Sequence, residues 1–193
     1  HEIDYARWGL GVEGLPATAT ALGGTYFFDD DQEFPDTATC VFEWPGDAKV
    51  GSRRQLVFEM RLWSTNGPFG CDSGAEFHGT AGRMVVSKRG KVEVYGEGDR
   101  LVEGARPKEP PSLPGSHQAD FLDAIRHGRT PRADVAVGHD TVALVHLANA
   151  AVRLGRSLRL DAATEQVPDD AAANRLLGRT YRAGGHWAVP RGA

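Results

Sequence analysis

Cysteine and methionine are scarce, two of each among 193 residues. Two cysteines cannot make a disulfide framework. Cys40 falls on the apolar side of an alternating run with Ala38 and Phe42 and reads as a small core residue. Cys71 sits in a Gly-rich stretch with no second cysteine nearby. No apolar run approaches the roughly 20 residues that span a bilayer, and no signal peptide is evident. The expectation is a cytoplasmic chain with no membrane partner. A net charge of -4 gives no global attraction to nucleic acid, and the basic tail from Arg179 to Arg182 is too short to change that. With 40% hydrophobic and 25% charged residues, the composition is that of one globular domain.

What is present begins abruptly. There is no initiator Met; the first residue is a histidine, with Asp4 three positions on. Ile3, Ala6, Arg7 and Leu10 recur at helical spacing, and Gly9 and Gly11 suit a helix stop. The expectation is a chain that starts inside a helix. Strands follow: a Thr- and Ala-rich segment from Pro16 to Tyr26, then Ala38, Cys40, Phe42 and Trp44, then Leu56, Phe58, Met60 and Leu62, each set alternating with mixed residues. Gly74 to Gly82, Met84 to Lys88 and Lys91 to Tyr95 continue the pattern, the last two joined by a tight turn at Arg89 and Gly90.

Four prolines at 107, 110, 111 and 114 exclude a helix there. Beyond them Ser116 can cap a helix with an apolar stripe of Phe121, Leu122 and Ile125, ended by Gly128. A longer helix is predicted from about His139 to Leu154, with Val142, Val145, Leu147, Ala148, Ala151 and Val152 facing inward. A short strand over Ser157 to Asp161 and a brief helix from Asp169 to Leu177 close the chain. Strands first and helices afterwards, in blocks, predict an α+β fold: one open, mainly antiparallel sheet with helices on one face.

Gly9, Gly11 and Gly14 match the letters of a dinucleotide fingerprint, but a helix precedes them and Pro16 follows, so they read as a helix-ending loop. His1 and Asp4 are the stronger constellation. Positions i and i+3 share a helix face, and a carboxylate beside an imidazole suits a general base. The plain alternative is an exposed helical pair. Asp29, Asp30 and Asp31 lack the spacing of a calcium loop. His139 and His146 lie seven apart without a third ligand, so no metal is expected. His78 and His117 read as surface residues. Arg61 and Trp63, on the mixed face of their strand, could hold a polyol or merely pack on the sheet.

The opening run from His1 to Gly11 resembles the end of the catalytic segment in the glucose–fructose oxidoreductase / inositol dehydrogenase / MocA family. The resemblance continues through Phe34 to Thr37, Glu76 to Gly82, His117 to Arg126, Gly138 and His139, Leu147 to Asn149, Ala173 to Leu177, and Tyr181 and Arg182. It implies a single C-terminal substrate and oligomerisation domain over residues 1–193, with a dihydrodipicolinate-reductase-like open sheet. An N-terminal Rossmann domain, absent here, would bind NAD or NADP. It further implies hydride exchange with a sugar, polyol or related carbinol, His1 as a catalytic residue, and Asp4 near the substrate. Arg61 and His139 are added as substrate contacts from the sheet's mixed face and the long helix. In that family a lysine of the first domain and an aspartate four residues before the histidine assist proton transfer; neither has a counterpart here, so the chain is not expected to act alone.

Two other readings stay open. One is a glycoside-cleaving enzyme of the same superfamily, using NAD to oxidise the sugar ring transiently. The other is a non-enzymatic carbohydrate-binding or self-association module. A homo-oligomer formed through the uncovered sheet face is expected.

Overall fold

The computed structural model describes residues 1–47, 49–105 and 115–179. The proline-rich segment and the basic tail beyond Arg179 lie outside them. Helix α1 (Glu2–Leu10) ends at Gly11, whose φ of 66° is left-handed and whose N–H bonds back to Arg7 and Trp8. This disposes of the fingerprint: the glycines terminate a helix instead of starting one.

Strands β1 (Thr18–Gly24), β2 (Thr37–Trp44) and β3 (Arg54–Arg61) form an antiparallel meander, and the short β7 (Leu158–Arg159) pairs with the start of β1. Strands β4 (Gly74–Gly79), β5 (Gly82–Ser87) and β6 (Val92–Tyr95) pair with one another in a second sheet. The single sheet expected from the sequence is therefore two. The chain between Leu62 and Ser73 turns away from β3, and the later strands are a self-contained meander. Helix α1 packs against both β3 and β4 and so joins the two sheets.

The alternation predicted for β2 holds, with Ala38, Cys40, Phe42 and Trp44 buried. They pack with Leu56, Phe58 and Met60 of β3, beneath Ile3, Ala6 and Leu10 of α1. Helix α3 (Val135–Leu154) lies on β1, where Ala148 and Ala151 permit close approach. Its inward face is rotated from the expected one. Leu144, Leu147, Ala150 and Ala151 are buried, whereas Val142 and Val145 are exposed. It also starts earlier than predicted, because the Asp134 side chain caps the Ala136 N–H. By length and composition α3 could cross a membrane. Its buried stripe against the sheet instead makes it the central core helix.

Helix α2 (His117–His127) has the predicted caps, Ser116 accepting from the Ala119 N–H and Gly128 left-handed at φ 60°. Its stripe is inverted. Phe121, Leu122 and Ile125 face outward while Asp120 and Ala124 are buried. The cause is Asp120, whose carboxylate accepts from the Arg132 N–H and from Arg129, both at 2.8 Å, and so holds the polar side inward. Helix α4 (Ala171–Leu177) is capped by Asp170 and not by the preceding Asp169.

Candidate functional site

Ile3 and Arg7 are the two buried residues of α1, one turn apart on the face that meets α3. A buried guanidinium must find acceptors for its five N–H bonds. Arg7 Nη2 donates to Asp140 Oδ2 at 2.8 Å and to the Gly14 carbonyl at 3.3 Å. Nη1 donates to Thr141 Oγ1 at 3.1 Å and, at the long limit, to the Val137 carbonyl at 3.5 Å. Only Nε is buried without a partner. The same Gly14 carbonyl accepts from Trp44 Nε1 at 3.3 Å, which ties the post-helix loop to the core.

Asp4 sits one turn before Arg7 on the same side of α1. Its Oδ1 accepts from Thr141 Oγ1 at 2.8 Å. The direction follows from the donor inventory, since Arg7 can only donate and a carboxylate can only accept. The Thr141 hydroxyl therefore receives from Arg7 and gives to Asp4.

His1 is the N-cap of α1, and its carbonyl accepts from the Tyr5 N–H. Its side chain is almost wholly exposed. Among the described residues no hydrogen bond joins the His1 ring to Asp4, so the two share a helix face without the expected contact. Glu2 beside it meets Lys88 at 3.3 Å. Burial pushes the Glu2 carboxyl up, but its own backbone N–H and Lys88 outweigh this and lower it. Tyr5 turns into a groove of about 250 Å³ lined by Tyr5, Gly9, Phe77, Val86, Ser87 and Lys88. Its buried hydroxyl has no partner among the described residues, and burial, then Glu2, pushes the phenol up.

His139 lies two residues before Thr141, yet its Nε2 engages Glu165 at 2.9 Å, in the loop before α4. Arg61 is farther removed. It shares the outer face of the sheet with Glu59, which it meets at 3.0 Å, and so lies across the sheet from α1. Trp63 donates to Thr37 Oγ1 at 2.9 Å and stacks on Phe27. Of the residues expected from the sequence, the α1–α3 junction holds Asp4, with His139 at its margin; His1 stands exposed at the start of α1, and Arg61 lies on the far side of the sheet. The junction adds Arg7, Asp140 and Thr141, which sequence reasoning did not single out. Arg7 carried a usable signal, a charge placed on the apolar stripe of α1. Among the described residues no three His, Cys, Asp or Glu side chains are grouped to hold a metal.

Several solved structures share this fold. An oxidoreductase from Agrobacterium radiobacter, in complex with NAD+, L-tartaric acid and magnesium, is 21% identical with a TM-score of 0.53, covering 81% of this chain and 46% of that one. An aldose-aldose oxidoreductase from Caulobacter crescentus, complexed with glycerol, is 17% identical with a TM-score of 0.56, covering 82% and 45%. The WlbA dehydrogenase from Bordetella pertussis, in complex with NADH and UDP-GlcNAcA, is 16% identical with a TM-score of 0.56, covering 83% and 43%. The chain therefore spans less than half the length of these structures. No curated relative matches it in sequence. Residues 107–188 match the family model for the C-terminal alpha/beta domain of the oxidoreductase family. The part of the chain from 107 to 188 is thus similar to that C-terminal domain, and the chain shares its fold with these oxidoreductase structures.

Proposed function

We propose that this chain is the substrate-binding and oligomerisation domain of an NAD(P)-dependent oxidoreductase acting on a sugar, polyol or related carbinol. The observation that carries this reading is Asp4, a carboxylate fixed by Thr141 one turn from the exposed imidazole of His1. The ligands of the structural neighbours, NAD+ with tartaric acid and NADH with a nucleotide sugar, support it.

The glycine-rich run from Gly9 to Gly14 closes α1. In this reading the chain serves the substrate side of the reaction. An imidazole, which can accept and release a proton, is suited to take the proton of the hydroxyl that becomes a carbonyl. A carboxylate that can only accept hydrogen bonds suits a neighbouring hydroxyl, and selects polyols over substrates that lack one. His139 belongs to this proposal as an outlying contact, whereas Arg61, on the outer sheet face, lies too far from Asp4 to share its substrate. That face exposes Leu22 and Val57 among threonines, and a second copy covering it would remove apolar surface from water.

The test is turnover. The protein expressed from its complete reading frame is mixed with NAD+ or NADP+ and a panel of polyols and sugars, and reduced cofactor is followed by fluorescence. Oxidation of a polyol, reduced about 100-fold or more in His1→Ala, is the expected result. Release of an aglycone without net reduced cofactor would replace this reading with glycoside cleavage. Sugar binding with no dependence on cofactor would replace it with a binding module.

A further inference from the structure

We infer that Thr141 is a positioning residue for the substrate carboxylate Asp4, with Arg7 fixing the direction of its hydroxyl proton. This rests on the proposed function and deepens it. Arg7 is 3% exposed and donates to Thr141 Oγ1, which occupies a lone pair of that oxygen. The single Thr141 proton is thereby left for Asp4 Oδ1. A free threonine hydroxyl rotates among acceptors; this one is held from one side by an immobile cation and from the other by an anion.

The consequence falls on the second oxygen of Asp4. Oδ1 is engaged, whereas Oδ2 accepts no hydrogen bond among the described residues. The carboxylate is thus oriented with one oxygen spent on the fold and the other available to a substrate hydroxyl. Thr141 is itself buried, at 8% exposure, and its hydroxyl donates to Asp4. It acts through Asp4 and not on the reacting atoms.

A network of this kind also staples α1 to α3, so the experiment must separate orientation from stability. In the complete protein, Thr141→Val keeps the shape and removes the hydroxyl, and Thr141→Ser keeps the hydroxyl. Losing the orientation of a group that binds substrate and transition state alike raises KM with kcat unchanged. The expected rise in Thr141→Val is about 10-fold to 100-fold, the range for a hydrogen bond to a charged group. Thr141→Ser should restore KM toward wild type. A role limited to stapling gives the opposite split: less folded enzyme, hence lower apparent kcat at unchanged KM, and this result would overturn the inference.

A second measurement does not depend on turnover. The carboxyl carbon resonance of Asp4 is compared in H2O and D2O. A solvent isotope shift present in wild type and Thr141→Ser and lost in Thr141→Val supports the bond; equal behaviour in all three overturns it. If wild type oxidises polyols while Thr141→Val matches it in both constants, the inference fails and the function stands. If wild type turns over no polyol but the isotope pattern holds, the functional reading fails and the carboxylate–hydroxyl geometry stands.

Discussion

Gly9 faces the end of the Phe77 ring so closely that a β-carbon placed there would lie 2.4 Å from two ring atoms. This is the point where α1 rests on the second sheet. Two effects compete in Gly9→Ala. Alanine favours a helix by about 1 kcal/mol, while forcing bulk into a packed contact costs about 1–3 kcal/mol. The clash should win, with a net loss of about 1 kcal/mol in chemical denaturation. In a Phe77→Ala background the ring is gone and the same change should become neutral or stabilising. Additivity of the two substitutions would count against this contact.

Arg7 and Asp140 form a pair in which the cation is buried and the anion retains some contact with water. Removing the arginine strands a carboxylate and several acceptors, so Arg7→Ala should cost about 3 kcal/mol. Asp140→Asn keeps an acceptor and should cost about 1 kcal/mol. The order of the two urea midpoints checks the assignment.

Asp36 supplies an acid-sensitive element. Its carboxylate is fully buried and accepts from the N–H groups of Tyr26, Phe27 and Phe28 and from the Thr37 hydroxyl. Burial pushes the group up, and these four donors outweigh it, bringing it to about 2 from an ordinary 3.8. A folded value below the unfolded one means the contribution is complete above about pH 4 and is lost as pH falls through about 2. Asp36→Asn should therefore flatten the acid limb of the stability profile between those values. Asp170, also held at about 2 by Arg156 and the α4 cap, leaves a residual slope.

Cys40 is 2% exposed, and burial raises its thiol to about 11. Native protein treated with a thiol reagent should modify Cys71 first, with Cys40 reacting only as the chain unfolds. Simultaneous labelling of both in the native state would contradict the packing.

Elements with local punctuation were legible from the residues. Ser116 and Gly128 bracket α2, Gly11 closes α1, and the alternation through Ala38 to Trp44 gave β2 its buried face. What failed depended on partners outside the element itself. The stripe of Phe121, Leu122 and Ile125 met the helical period, but Asp120, held by Arg129 and Arg132, decided which side turns inward. Val142 and Val145 lost to Leu144 and Ala150 because alanines set how α3 approaches β1. The division into two sheets has no local signature. The spacing of His1 and Asp4 on one helix face was legible, whereas the bond from Thr141 to Asp4 became visible only when α3 was laid against α1.

The link between Arg7 and Thr141 joins positions 134 residues apart in the chain. The start of β1 meets β7 across a comparable span, Ala19 opposite Leu158. These two links therefore form only when α3 and β7 reach the start of the chain, although α1 also rests on β3 and β4. Closing loops of that length costs entropy before any contact repays it, which slows the search for the native arrangement. The meander from β1 to β3 can form early from neighbouring residues. The alignment of Asp4 thus depends on a closure over 137 residues and not on its own helix.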